Sequence, residues 1–137
     1  MTYRRVGIAV AFLLSVGAWA RPVLAHHSIT AEFDPSSSVV LKGVITKVDW
    51  VNPHVYVYID VKDASGNVTN WALESGPPGM LRRGGVTSDK VGVGQEVTVD
   101  AYRAKDGSKS LAFLRRITYA DGHFVQLWVG DPSKPQE

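Results

Sequence analysis

The side chains best suited to chemistry in this chain are its histidines, four in all, and three of them stand in informative places. His26 and His27 are adjacent, and His54 follows Asn52-Pro53. A histidine at a free N-terminus can chelate a metal through its α-amine and its own Nδ1. A second imidazole then completes a T-shaped set of nitrogens, a geometry that suits copper. If His26 begins the mature chain, His26 and His54 form such a histidine brace, with Glu74 as a further candidate metal residue and Tyr56 as a candidate neighbour. His27 offers a second mode, in which the amine, the intervening amide nitrogen and the second imidazole grip Cu(II) in a plane without help from a fold. Both modes need deprotonated ligands, so binding weakens as pH falls through the amine and imidazole ranges. The same residues also have plainer readings. Two histidines can be an unstructured polar start, and Asn52-Pro53-His54 suits a simple turn. His123, after Asp121-Gly122, reads as a turn or strand-edge residue.

The brace depends on what precedes His26. Arg4 and Arg5 are followed by an apolar run from Val6 to Trp19, then by Arg21-Pro22 and the ending Val23-Leu24-Ala25. This is the layout of a secretory signal, and the run is too short for a stable membrane anchor. Residues 1–25 are therefore expected to be a signal peptide cleaved after Ala25, directing the protein to the periplasm or beyond with no anchor left. A competing cut after Ala20 would leave Arg-Pro at the new start. Removing 25 of 137 residues leaves 112, enough for one modest core. The leader also holds three of the 15 basic residues, so the mature chain carries 12 Lys and Arg against 13 Asp and Glu. That near-neutral balance lacks the electrostatic footprint of a nucleic-acid binder. The absence of cysteine excludes disulfides, thiolate metal sites and a lipidated N-terminal Cys.

The elements that must position His54 are strands. An arm over residues 26–38 leads to Val39–Trp50, a long β-branched stretch in which Gly43 marks a bulge or sharp bend. After the Asn52-Pro53 break, His54–Val61 alternates. Val55, Val57, Ile59 and Val61 point to the core, and His54, Tyr56, Tyr58 and Asp60 share the other face. A hairpin turn at Asp63–Asn67 returns the chain as Val68–Ser75. Met80–Arg83 gives one short helical turn, Gln95–Tyr102 a fourth strand with Val97, Val99 and Ala101 inward, and Ser110–Tyr119 a fifth. His123–Val129 reads as a short final strand, and residues 130–137 as a disordered tail. This order predicts an all-β domain over residues 39–129, a small five-stranded OB-like Greek-key barrel with a short helical turn between strands 3 and 4. A small open sandwich of the same strands is the alternative.

His26-His27-Ser28, Glu32-Phe33-Asp34, Leu41-Lys42-Gly43, Trp50-Val51-Asn52-Pro53-His54, Asn70-Trp71-Ala72, Leu81-Arg82-Arg83-Gly84 and Ala101–Gly107 together carry a resemblance. The chain resembles a domain-of-unknown-function family of small exported bacterial proteins with a His-His-Ser mature start and an Asn-Pro-His motif. The resemblance implies a secreted or periplasmic barrel-like domain and carries no established activity. Val125–Glu137 falls outside it.

A different function is suggested by the aromatic face. Tyr56 and Tyr58, with Trp50 and Trp71 as candidate neighbours, could stack on a ligand across the second and third strands, as OB-type barrels commonly do. This would make the protein a metal-free ligand-binding or protein-interaction module. Catalytic motifs are missing: there is no G-x-S-x-G elbow, H-E-x-x-H helix or phosphate loop, and Gly92-Val93-Gly94 precedes a strand where a dinucleotide site needs a helix.

Overall fold

A computed structural model of the chain describes residues 28–128. The expected signal peptide, His26 and His27, and the tail after Gly130 lie outside the described residues. The chain order is α1 (Ile29–Glu32), β1 (Phe33–Trp50), β2 (Val55–Lys62), β3 (Val68–Glu74), α2 (Pro78–Arg83), a 3-10 turn at Ser88–Lys90, β4 (Glu96–Ala104), β5 (Leu111–Tyr119) and β6 (Phe124–Gln126). The protein is mostly antiparallel β-sheet, with strand order β3-β2-β1-β4-β5-β6 and one further pairing, β3 with β5. That last pairing is parallel, so the hydrogen-bonded strands run β1–β2–β3–β5–β4 and return to β1. No helix among the described residues is long and apolar enough to cross a membrane.

Strand β1 spans 18 residues because it serves two partners. Ser38 to Val44 pair with β4, Val44 to Trp50 pair with β2, and Val44 is the residue common to both registers. Gly43 stands at this exchange. A Cβ there would lie 2.4 Å from the Asp60 carbonyl oxygen, so only glycine lets the neighbouring backbone come so close. The irregularity in pairing with β2 falls at Thr46, between Ile45 and Lys47, three residues beyond Gly43. The strand also begins at Phe33, earlier than the arm expected over residues 26–38 would allow. Pro35 lacks an N–H for a ladder, and the register with β4 is indeed broken between Phe33 and Ser38. Phe33 nonetheless pairs with Ala104 and is buried.

The alternation in β2 is seen directly. Val55, Val57 and Ile59 are buried, while Tyr56, Tyr58 and Asp60 are half-buried on the opposite side, and Val61 is only partly covered. Val97, Val99 and Ala101 of β4 are buried with them, as are Ala112, Leu114 and Ile117 of β5. The Asp63–Asn67 turn is held by the Asp63 carboxylate, which accepts from the Ser65 and Asn67 amides and from Asn67 Nδ2. The Asn67 side-chain bond leads the causes that hold the Asp63 pKa below the usual carboxylate value.

A second hydrophobic cluster lies apart from this core, formed by Phe33, Tyr102, Phe113 and Trp128, with Ile29, Met80, Ala104 and Leu111 packed against it. It exists because β5 is covered on both faces: Ala112, Phe113 and Leu114 are consecutively buried. Leu114 and Ala112 face the main core and Phe113 faces the aromatic cluster.

Candidate functional site

His54 sits immediately before β2, after the cis Asn52-Pro53 peptide. Its Nδ1 lies 2.5 Å from Glu74 Oε1, and Tyr56 Oη donates to Glu74 Oε2 at 2.7 Å. Register explains the meeting. Tyr56 of β2 is directly opposite Glu74 of β3, so both project from the same face, and His54 lies two residues before Tyr56 on that face. Glu74 is only 6 % exposed. A buried carboxylate needs donors on its oxygens, and these two side chains provide them. Burial first, and then the hydrogen bond to Glu74, push the Tyr56 phenol far above its ordinary pKa, with the negative charges of Glu74 and Glu32 adding in the same direction.

With Nδ1–H donated to Glu74, the neutral imidazole keeps its lone pair on Nε2, the nitrogen left for a ligand. A carboxylate fixing one ring nitrogen so that the other can coordinate is the usual support of a metal-ligating histidine.

The face carrying these residues continues across the β3–β5 seam. Glu74 is the parallel partner of Phe113, and Phe113 is the antiparallel partner of Tyr102. Over this row lies the start of the described chain. The Lys105 amide donates to the Glu32 carbonyl at 2.8 Å, and Lys105 Nζ donates to the Thr30 carbonyl at 2.5 Å, which pins α1 to the β4–β5 hairpin. The result is a cavity of about 280 Å³ whose wall includes Ser28, Glu32, His54, Glu74, Phe113 and Trp128. Ser28 and His54 are thus residues of one cavity wall.

Two of the residues proposed for metal binding, His54 and Glu74, are therefore brought together, while His26 and His27 lie outside the described residues. Among the described residues no group of three or more His, Asp and Glu side chains is assembled for a metal ion. His123 is a turn residue: its amide and ring Nδ1 both contact Asp121 Oδ1, and its ring stacks on Tyr119 at 4.3 Å.

Tyr56 and Tyr58 stack at 6.3 Å with 26° between the rings, and Lys47 Nζ lies 5.2 Å from the Tyr58 centroid. Trp50 and Trp71 do not join them. Trp50 is opposite Val55 and Trp71 opposite Ile59, so strict alternation places both indoles on the core face. Sequence reasoning missed the aromatic cluster at the seam. Its signal was the unbroken apolar run Leu111-Ala112-Phe113-Leu114, which marks a strand buried on both faces.

The same chain segments decide the comparison with known proteins, because residues 13–112, which include β1 to β4 and the start of β5, match a family of unknown function (DUF6152). The chain belongs to that family. His54, Tyr56 and Glu74 fall inside the matched range, whereas Phe113 and Trp128 follow it. No curated protein and no solved structure matches the chain.

Proposed function

We propose that this protein is an exported OB-type barrel that binds a copper ion through the α-amine and imidazole of a mature N-terminal His26 together with His54 Nε2, with His27 as an additional ligand. The observation that carries the reading is the bond from His54 Nδ1 to the buried Glu74, which orients the ring and leaves Nε2 for coordination. Glu74 in this reading positions His54 and is not itself a ligand, since its oxygens are engaged by His54 and Tyr56. Ser28 shares a cavity wall with His54, and His26 stands two residues before Ser28, within about 7 Å of chain. Copper(II) is favoured over other first-row divalent metals by an amine and imidazole set. The circuit of strand pairings, with α2 between β3 and β4, supports the barrel architecture. The leader grammar supports export.

The test is to purify the protein from its own export route, measure its intact mass, and titrate the mature form with Cu(II) beside His54→Ala. A mature chain starting at His26, with affinity falling on His54→Ala, is the expected result. A different start removes the brace. Tight binding indifferent to His54→Ala leaves only the planar mode through His27. Absence of binding favours the metal-free module, for which the stacked, half-buried Tyr56 and Tyr58 are the supporting observation.

A further inference from the structure

Copper held by a mature N-terminus and His54 joins two stretches of chain, so its affinity depends on what keeps them together. The stretch that leads to the N-terminus is weak by itself. Helix α1 is a single turn, Ile29–Glu32, with no side-chain hydrogen bond at its Ser28 cap and none of its residues buried. Four residues are far too few for a helix to persist alone in water. Something outside α1 must therefore fix it.

The end of β4 does so. Phe33, directly after α1, pairs with Ala104 and is 1 % exposed, its ring 5.5 Å from Phe113. Ile29, at the other end of the turn, packs against the same aromatic cluster. Lys105 follows Ala104 and makes the two polar contacts between these anchors. Its amide donates to the Glu32 carbonyl at 2.8 Å, and its Nζ donates to the Thr30 carbonyl at 2.5 Å. Carbonyls in the last turn of a helix lack intrahelical partners, and a lysine side chain is a common donor to them. Asp34 feels the same ammonium: hydrogen bonds from Ser36 hold its pKa below the usual carboxylate value, and the Lys105 charge adds to that.

Ser28, at the head of the fastened turn, lines the same cavity as His54. We propose that Lys105 is a positioning residue for the metal site: its ammonium latches α1 to the end of β4 and so keeps the mature N-terminus within reach of His54 before copper arrives. This role rests on the copper reading and supplies the source of its affinity. Ligand groups held in place beforehand spare the metal the cost of ordering them. Capture by the second imidazole then becomes an intramolecular step at high effective concentration. The planar mode through His27 uses one short stretch of chain, so it gains nothing from the latch.

The test takes the mature protein, shown by mass to begin at His26, and compares wild type with Lys105→Met, which keeps the apolar stem but has no donor, and with Lys105→Arg, which keeps a charged donor. Two quantities are read: the heteronuclear NOE of the 29–32 amides in the metal-free protein, and the Cu(II) affinity in competition with a chelator of known strength. Lys105→Met is expected to lower the NOE at α1 alone and to weaken Cu(II) by about fivefold, the equivalent of one modest hydrogen bond. Lys105→Arg is expected to restore both. On a His54→Ala background, Lys105→Met is expected to leave the residual Cu(II) binding unchanged, which a general loss of stability would not. The proposal is overturned if α1 keeps its order in Lys105→Met, or if α1 loosens while affinity stays within about twofold of wild type. It is equally overturned if Lys105→Met weakens copper as much without His54 as with it. Wild-type binding that is absent or indifferent to His54→Ala refutes the copper reading and the latch together, whereas intact, His54-dependent binding with no response to Lys105→Met refutes the latch alone.

Discussion

Replacing Tyr56 by Phe removes a single oxygen from the centre of the proposed site and probes whether Glu74 is held as described. Tyr56 Oη donates to Glu74 Oε2 at 2.7 Å, and Glu74 is 6 % exposed. A hydrogen bond to a charged group contributes roughly 1.5–3 kcal/mol, and removing the donor leaves the buried oxygen without that partner. Tyr56→Phe is therefore expected to destabilise the fold by about 2 kcal/mol. For a domain of this size that lowers Tm by about 10 °C. Urea unfolding followed by circular dichroism gives the free energy directly, and an unchanged slope would show that the unfolded state is unaltered. A double-mutant cycle with Glu74→Gln should return a coupling of at least about 1 kcal/mol, as expected for residues in one network. Because Glu74 orients His54, the same substitution should weaken Cu(II) by about tenfold, the usual effect of losing a supporting contact behind a metal ligand. A destabilisation below about 0.5 kcal/mol, with negligible coupling, would refute the reasoning. Glu74 would then be solvated, and nothing would fix the His54 ring.

Two further outcomes follow from the same geometry. Gly43→Ala places a Cβ 2.4 Å from the Asp60 carbonyl oxygen, a backbone atom held in the β1–β2 pairing that cannot swing aside, so a loss of about 1–3 kcal/mol is expected in chemical denaturation; stability within about 0.5 kcal/mol of wild type would mean that the strands part easily at this exchange. Tyr56 should be the tyrosine that resists ionisation: its folded pKa is raised, so the stability it contributes is full below the unfolded value of about 10 and is lost as pH rises above that point. Phenolate absorbance titrations of the wild type and of Tyr56→Phe should differ by one phenol that ionises only as the fold is lost; a difference that titrates near pH 10 in the folded protein would contradict the Tyr56–Glu74 bond.

Much of the strand content was legible because period-two alternation is a local property. Val55, Val57 and Ile59 against Tyr56, Tyr58 and Asp60 can be read without knowing any partner strand, and the Asp63–Asn67 turn carries its own hydrogen-bonding chemistry. His54 could be singled out for the same local reason, as an imidazole directly after a proline turn and at the head of an alternating strand. Other features misled. Pro35 and three serines gave residues 26–38 the look of an arm, yet β1 starts at Phe33, because a buried aromatic anchor and an irregular register tolerate what a regular ladder would not. Trp71 was placed beside the tyrosines, but opposite residues of paired strands share a face, and its partner is Ile59.

The sequence by itself determined the alternating faces, the turns and the histidines open to metal chemistry. Each of these depends on residues a few positions apart. Only the tertiary structure decided that Glu74 would meet both His54 and Tyr56, and that β3 would lie parallel to β5 with Phe113 against Glu74. It alone gathered Phe33 and Trp128, from opposite ends of the described chain, into one cluster. Alternation says that a strand has two faces; which strand comes to lie at its edge, and what covers the second face, is set by pairings between residues far apart in the chain.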